Sequence, residues 1–156
     1  MLNRMRNRLN EDGFTLIELM VVVLIIAILV AIAIPTFLGQ RETAQDRAAQ
    51  SNLRNALATE KTIYANDQAY TDVAADLGAV EPSLTWQEDA YAAATSNAGD
   101  VFVKLETGGV ACLTVLSASG KIFMIAEDPT AATAYGEIAS GGTLTDCATD
   151  ATAASW

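Results

Sequence analysis

The sequence predicts an α+β protein, with one long N-terminal α-helix packed on a three- to four-stranded antiparallel sheet. Three observations carry that reading. Residues 14–34 read FTLIELMVVVLIIAILVAIAI, and no polar side chain occurs between positions 19 and 34. Residues 36–66 keep a helix-forming composition but turn amphipathic. Residues 101–126 hold three short β-rich runs separated by glycine-containing turns.

The apolar run comes first. As a helix, its 21 residues would measure about 31 Å, enough to cross a bilayer core. Glu18 lies inside it. An acidic residue at the centre of a spanning helix costs roughly 2.5–3.5 kcal/mol. Near one end the cost is smaller, yet the carboxylate still asks for a partner. Packing against copies of the same segment would supply one, if Glu18 meets a positive charge on a neighbour. The alternative is that Glu18 snorkels to the headgroups. Arg4, Arg6 and Arg8 precede the run, which suits cytoplasmic retention. Arg41, Arg47 and Arg54 follow it, so charge sets the orientation only weakly.

Pro35 ends the apolar stretch. It removes a helical hydrogen bond and disfavours helix at Ile34. Gly39 weakens the same region. A kink or locally melted segment is therefore expected over residues 32–39. Beyond it, Ala49, Leu53, Ala56, Leu57, Ile63 and Tyr64 recur at three- and four-residue spacing. That pattern predicts one buried helix face, with Asn66-Asp67 as the stop.

Residues 66–100 carry few regular signals. Gly78 and Pro82 act as breakers, and the spacing suggests a connecting loop with one short helix near 72–77. Tyr70, Trp86 and Tyr91 are expected to pack on the domain rather than bind a ligand. Val101, Val103 and Leu105 then alternate with Phe102, Lys104 and Glu106, as on a half-buried strand. Gly108-Gly109 marks a hairpin turn. Strands follow over 110–118 and 121–126, and a fourth near 135–139.

Composition removes several function classes. The net charge of −10 argues against non-specific nucleic-acid binding, since phosphate backbones recruit Lys and Arg. The absence of histidine removes His-dependent triads and the commonest zinc sites. No clustered nucleophile or cofactor loop is visible, so an enzyme is not expected, nor any cofactor. Asp146 and Asp150 lack the dense Asp/Asn/Gly pattern of a calcium loop, so no metal is expected. Cys112 and Cys147 would pair in an exported domain; two buried free thiols are the alternative.

The first residues leave three readings. A secretory signal peptide would explain Ala31-Ile32-Ala33, which has the small-x-small form of a cleavage site. A plain uncleaved anchor would explain the length. Neither explains Gly13-Phe14-Thr15-Leu16-Ile17-Glu18, in which a charged leader ends in glycine, Phe opens the helix and Glu follows four residues later. This pattern resembles the class III leader of type IV prepilins and the related pseudopilins. The resemblance is specific from Gly13 to about Tyr64. Beyond residue 66 it extends only to general layout, including two late cysteines.

The resemblance implies a division into a leader peptide (1–13), a transmembrane and filament-core helix (14–35), an amphipathic half-helix (36–66) and a globular domain (67–156). It implies cleavage between Gly13 and Phe14 by prepilin peptidase, N-methylation of Phe14, and assembly through Phe14 and Glu18. Pro35 and Gly39 would let the helix extend on entering a fibre. The implied partners are copies of the chain, the peptidase, and an assembly platform with its ATPase. The bacterial inner membrane would hold the precursor, and a cell-surface pilus filament the assembled subunit. A pseudopilin of a type II secretion system shares the N-terminal pattern. A membrane-anchored binding or sensor domain is the rival from another class.

Overall fold

The computed structural model describes residues 13–89, 96–144 and 147–156. Residues 1–12 of the expected leader, Tyr91 and Asp146 lie outside the described residues. The elements are helix α1 (Leu16–Asp67), helix α2 (Ala74–Val80), strands β1 (Trp86–Glu88), β2 (Val101–Glu106), β3 (Val110–Leu116), β4 (Ile122–Glu127) and β5 (Ala134–Ile138), and the short helix α3 (Cys147–Asp150). The architecture is α+β, as the sequence predicts. The chain divides into two compact units, residues 1–40 and 41–156.

In the first unit α1 is unbroken through Pro35 and Gly39. The melted segment expected over 32–39 is therefore absent from this structure. Proline removes one N–H and leaves the remaining backbone bonds of the helix available. The Thr36 hydroxyl also donates to the Ile32 carbonyl at 3.1 Å, giving that turn a further bond. Every large apolar side chain from Phe14 to Leu38 is exposed, by 45% to 84%. The sequence of this half is thus not explained by burial within its own chain.

In the second unit, the later half of α1 buries Ala49, Leu53, Ala56 and Ile63 against Val101, Val103, Leu113, Val115, Phe123 and Ile125 of the sheet. Leu77 of α2 joins this core, and Trp86 and Trp156 flank it. The helix ends where Gln68 adopts a left-handed φ of 57°. Its backbone N–H closes the last turn on the Tyr64 carbonyl at 2.9 Å, satisfying a carbonyl that would otherwise be orphaned.

The sheet has five strands in the order β1-β2-β3-β4-β5. Strands β2 to β5 are antiparallel neighbours, while β1 runs parallel to β2. The expected three- to four-stranded antiparallel sheet therefore gains a fifth strand and becomes mixed. The addition comes from a stretch read as loop. Three residues are too few to show a period-2 pattern, and β1 is held by non-local pairing with β2. The short helix lies at 74–80 rather than 72–77 and runs through Gly78, where an added Cβ would make only ordinary contact with Trp86 at 3.7 Å. The turn after β2 places Gly108 and Gly109 at φ 93° and 81°, which glycine adopts without steric cost.

Strand β4 is buried at every position, because both faces of the sheet are covered. The α1 core lies on one face. On the other, Cys112, Met124 and Ala126 pack with Cys147 and Ala151. A disulfide joins Cys112 on β3 to Cys147 at the start of α3. Gly136 fits this layer because a Cβ there would meet the Asp150 carbonyl and the Met124 side chain at 2.8 Å. The tail then returns through paired hydrogen bonds between Tyr135 and Ala153. Trp156 ends it, with its indole N–H on the Gly136 carbonyl at 2.9 Å and its ring edge-on to Phe123 and Tyr135.

Two buried glutamates differ in their surroundings. Glu127 accepts from Lys61, Tyr70 and Thr133. Glu60 is fully buried and accepts only a 3.3 Å bond from the Thr71 N–H; its Oε1 has no partner among the described residues. Burial pushes its pKa up from the ordinary 4.5 to about 7, with Asp72 adding to the rise and the Thr71 bond opposing it. A raised carboxyl pKa means that the folded state holds the proton more tightly. The stability it gives is fully present below about pH 4.5 and lost as pH rises through 7. The size is on the order of 3 kcal/mol. Urea unfolding of the full chain in detergent should therefore show Glu60→Gln gaining on wild type by about that amount between pH 5 and pH 8. A difference that stays constant with pH would refute the assignment.

Candidate assembly site

The site begins where the apolar helix begins. Thr15 precedes the first residue of α1, Leu16. Its hydroxyl accepts from the Glu18 N–H at 3.3 Å. In return, the Thr15 N–H and hydroxyl donate to Glu18 Oε2 at 2.9 and 2.6 Å. Thr15-Leu16-Ile17-Glu18 is thus a capping box, which satisfies two otherwise orphaned N–H groups at a helix start. The acidic side chain also lies in the first turn, where the helix dipole favours negative charge.

This geometry gives Glu18 a partner within its own chain. From sequence alone that partner is expected on a neighbour, and Thr15 does not stand out. The signal was present, since a Thr followed three residues later by Glu before an apolar run is the form a capping box takes. Both bonds from Thr15 fall on Oε2. Oε1 has no hydrogen-bond partner among the described residues, so a second donor has an acceptor to approach. Gly13 and Phe14 sit just outside the helix in irregular backbone, and Phe14 is 84% exposed. Pro35 and Gly39 lie within α1, well removed along the chain from this terminus. Cys112 and Cys147 are paired on the far side of the sheet from α1 and take no part in the site.

Helix α1 is long and apolar enough to cross a membrane. Among the described residues, no group of three or more Cys, Asp or Glu side chains is placed to hold a metal ion. In the second unit the polar contacts secure α1 to the β3–β4 turn. Asp46 accepts from the Ser117 hydroxyl at 2.8 Å and from the Ser119 hydroxyl, and Lys121 stands 3.4 Å away. Burial pushes the Asp46 carboxyl up, but the two hydroxyls and Lys121 outweigh it and hold the group below its ordinary range.

Residues 8–34 match the family described as the prokaryotic N-terminal methylation motif. The chain is 42% identical over 73 residues to the type IV major pilin protein PilA of Myxococcus xanthus, covering 47% of this chain and 31% of that protein. It is 40% identical over 62 residues to the type IV wide pilus major component PilA4 of Thermus thermophilus, covering 40% of this chain and 47% of that protein. The chain matches less than half the length of either relative. The chain is of the class that combines a capped helix of membrane-spanning length with a disulfide-bearing α+β unit. Within that class, the motif and both relatives support a type IV pilin.

Proposed function

We propose that the chain is a structural subunit of a type IV pilus rather than an enzyme. Prepilin peptidase cuts between Gly13 and Phe14 and methylates the new amine of Phe14. The division into leader (1–13), filament-core helix (14–35), amphipathic half-helix (36–66) and globular domain (67–156) is part of this reading. The precursor sits in the inner membrane, and an ATP-driven platform assembles it into a helical fibre of identical copies. The observation that carries the proposal is the apolar half of α1, exposed along its whole length behind a capped, acidic first turn.

The chemistry follows from the residues. Glycine at position 13 leaves the scissile backbone unobstructed. Cleavage creates a cationic amine on Phe14, and methylation keeps its charge. The Glu18 carboxylate of one subunit then receives the Phe14 amine of the next through Oε1, while Thr15 holds Oε2. Pairing neutralises two groups that are costly to bury singly and fixes the axial register, as a buried polar residue does in a coiled coil. Packing of the apolar halves supplies the cohesion, at about 25 cal/mol per Å² of apolar area. Pro35 and Gly39 give the helix a place to extend on assembly, where it lacks one backbone bond and one side chain. Export then places the globular domain in an oxidising compartment, where the Cys112–Cys147 bond forms.

Mass spectrometry of the native protein tests this directly. The mature chain should begin at Phe14 and carry one extra methyl group on its amine. A protein that keeps Met1, or begins after Ala33, would overturn the proposal and favour an anchor or a signal peptide. The N-terminal match also fits a type II pseudopilin; recovery of the chain in sheared surface fibres separates the two.

A further inference from the structure

The charge of this chain is sharply segregated. Between positions 41 and 61 there are four basic residues, Arg41, Arg47, Arg54 and Lys61, and three acids. Two of those acids are not open to a partner: Glu60 is buried, and Asp46 is held by Ser117, Ser119 and Lys121. Between positions 62 and 103 there is no Lys or Arg at all. Asp67, Asp72, Asp76, Glu88 and Asp89 are all exposed there.

The basic residues form a row. Arg47, Arg54 and Lys61 are spaced seven apart, which sets them within about 40° of one another around the helix. They lie away from the buried stripe of Leu53, Ala56 and Ile63. Arg47 is exposed and has no ion pair with another described residue. Arg54 rests over the Trp156 ring, and Lys61 bonds Glu127 with half of its side chain still open. Asp76 and Glu88 come together where α2 meets β1. Glu88 at the end of β1 accepts from the Ala74 N–H at the start of α2 at 3.1 Å, which brings it beside the turn that carries Asp76. No ion pair among the described residues involves any of the five exposed acids; those described join Lys61, Lys104 and Lys121 to other carboxylates.

We infer that the basic row of α1 docks the acidic α2–β1 lobe of a second copy of this chain. This rests on the assembly reading above and gives it a lateral contact between globular domains. One surface is cationic, the other anionic, and they remain unjoined within one chain. Complementary patches of this kind select a partner and set its register. A head-to-tail contact of two different surfaces makes an open helical fibre wherever its rotation does not close into a ring.

Charge reversal in the full-length chain, expressed in cells, tests the contact. Arg47→Glu should lower sheared fibre yield about tenfold, and Asp72→Lys/Asp76→Lys should do the same, because each sets like charges face to face. Combining all three should return the yield to near wild type. In every variant the subunit should accumulate in the membrane with its disulfide intact. Wild-type yield from Arg47→Glu, or a triple variant that does not recover, would overturn this interface. Absence of fibres from the wild type would overturn the assembly reading along with it.

Discussion

Replacement of both cysteines, Cys112→Ala with Cys147→Ala, is expected to lower the stability of the folded domain by about 4 kcal/mol. The bond closes a loop over a sequence separation of 35, and the chain-entropy account gives that size for such a loop. Against a typical total of about 5–15 kcal/mol, the loss is large. Geometry says where it acts. The layer on the far side of the sheet is small, built from Cys112, Met124, Ala126, Cys147 and Ala151. Helix α3 has four residues, too few to persist without tertiary contacts. Beyond it, the paired bonds of Tyr135 with Ala153 and the Trp156 anchor hold the tail. Without the disulfide, residues 139–156 should become the first segment cut by a protease, while the α1–sheet core resists longer. A variant whose denaturation midpoint moves by less than the equivalent of about 1 kcal/mol, or whose tail stays protected, would show that the apolar layer suffices by itself.

The parts of the fold legible in the sequence were those with a repeating pattern. The helix over 16–67 follows from an apolar run joined to a stripe of Ala49, Leu53, Ala56 and Ile63. Strands β2, β3 and β4 lie within two residues of their expected bounds, since alternation and glycine turns mark them. The misses have physical causes. Strand β1 is three residues long and exists through its pairing with β2, so it leaves no local pattern. Gly78 was read as a breaker, yet it is tolerated inside α2. Pro35 was expected to kink or melt its helix, and α1 continues through it without melting. Glu60 sits on the buried stripe beside Thr59 and Ile63; its spacing marks it as inward-facing, but its charge reads as a surface residue. At the candidate site, Glu18 stood out because it is a charge in an apolar run. Thr15 did not, because its role is visible only as half of a reciprocal pair.

That reciprocal pair decides how the role of Glu18 is tested. Glu18→Ala should leave the chain folded and in the membrane but reduce fibre yield at least tenfold. Removing one partner of a buried ion pair costs on the order of 3–5 kcal/mol, because the other charge is left behind. Here that charge would be the Phe14 amine of the neighbouring subunit. Alanine also destroys the capping box, which contributes only about 1 kcal/mol, so Glu18→Ala alone does not separate the two roles. Glu18→Gln does. Glutamine serves equally at that position of a capping box and keeps an oxygen for Thr15, but carries no charge for an amine. Thr15→Ala does the reverse, removing the box while leaving the carboxylate. The register role requires Glu18→Gln to fail nearly as badly as Glu18→Ala, with Thr15→Ala milder than either. Should Glu18→Gln assemble normally while Thr15→Ala does not, the carboxylate acts only as a cap, and register must come from the apolar surfaces and the charged faces of the domains.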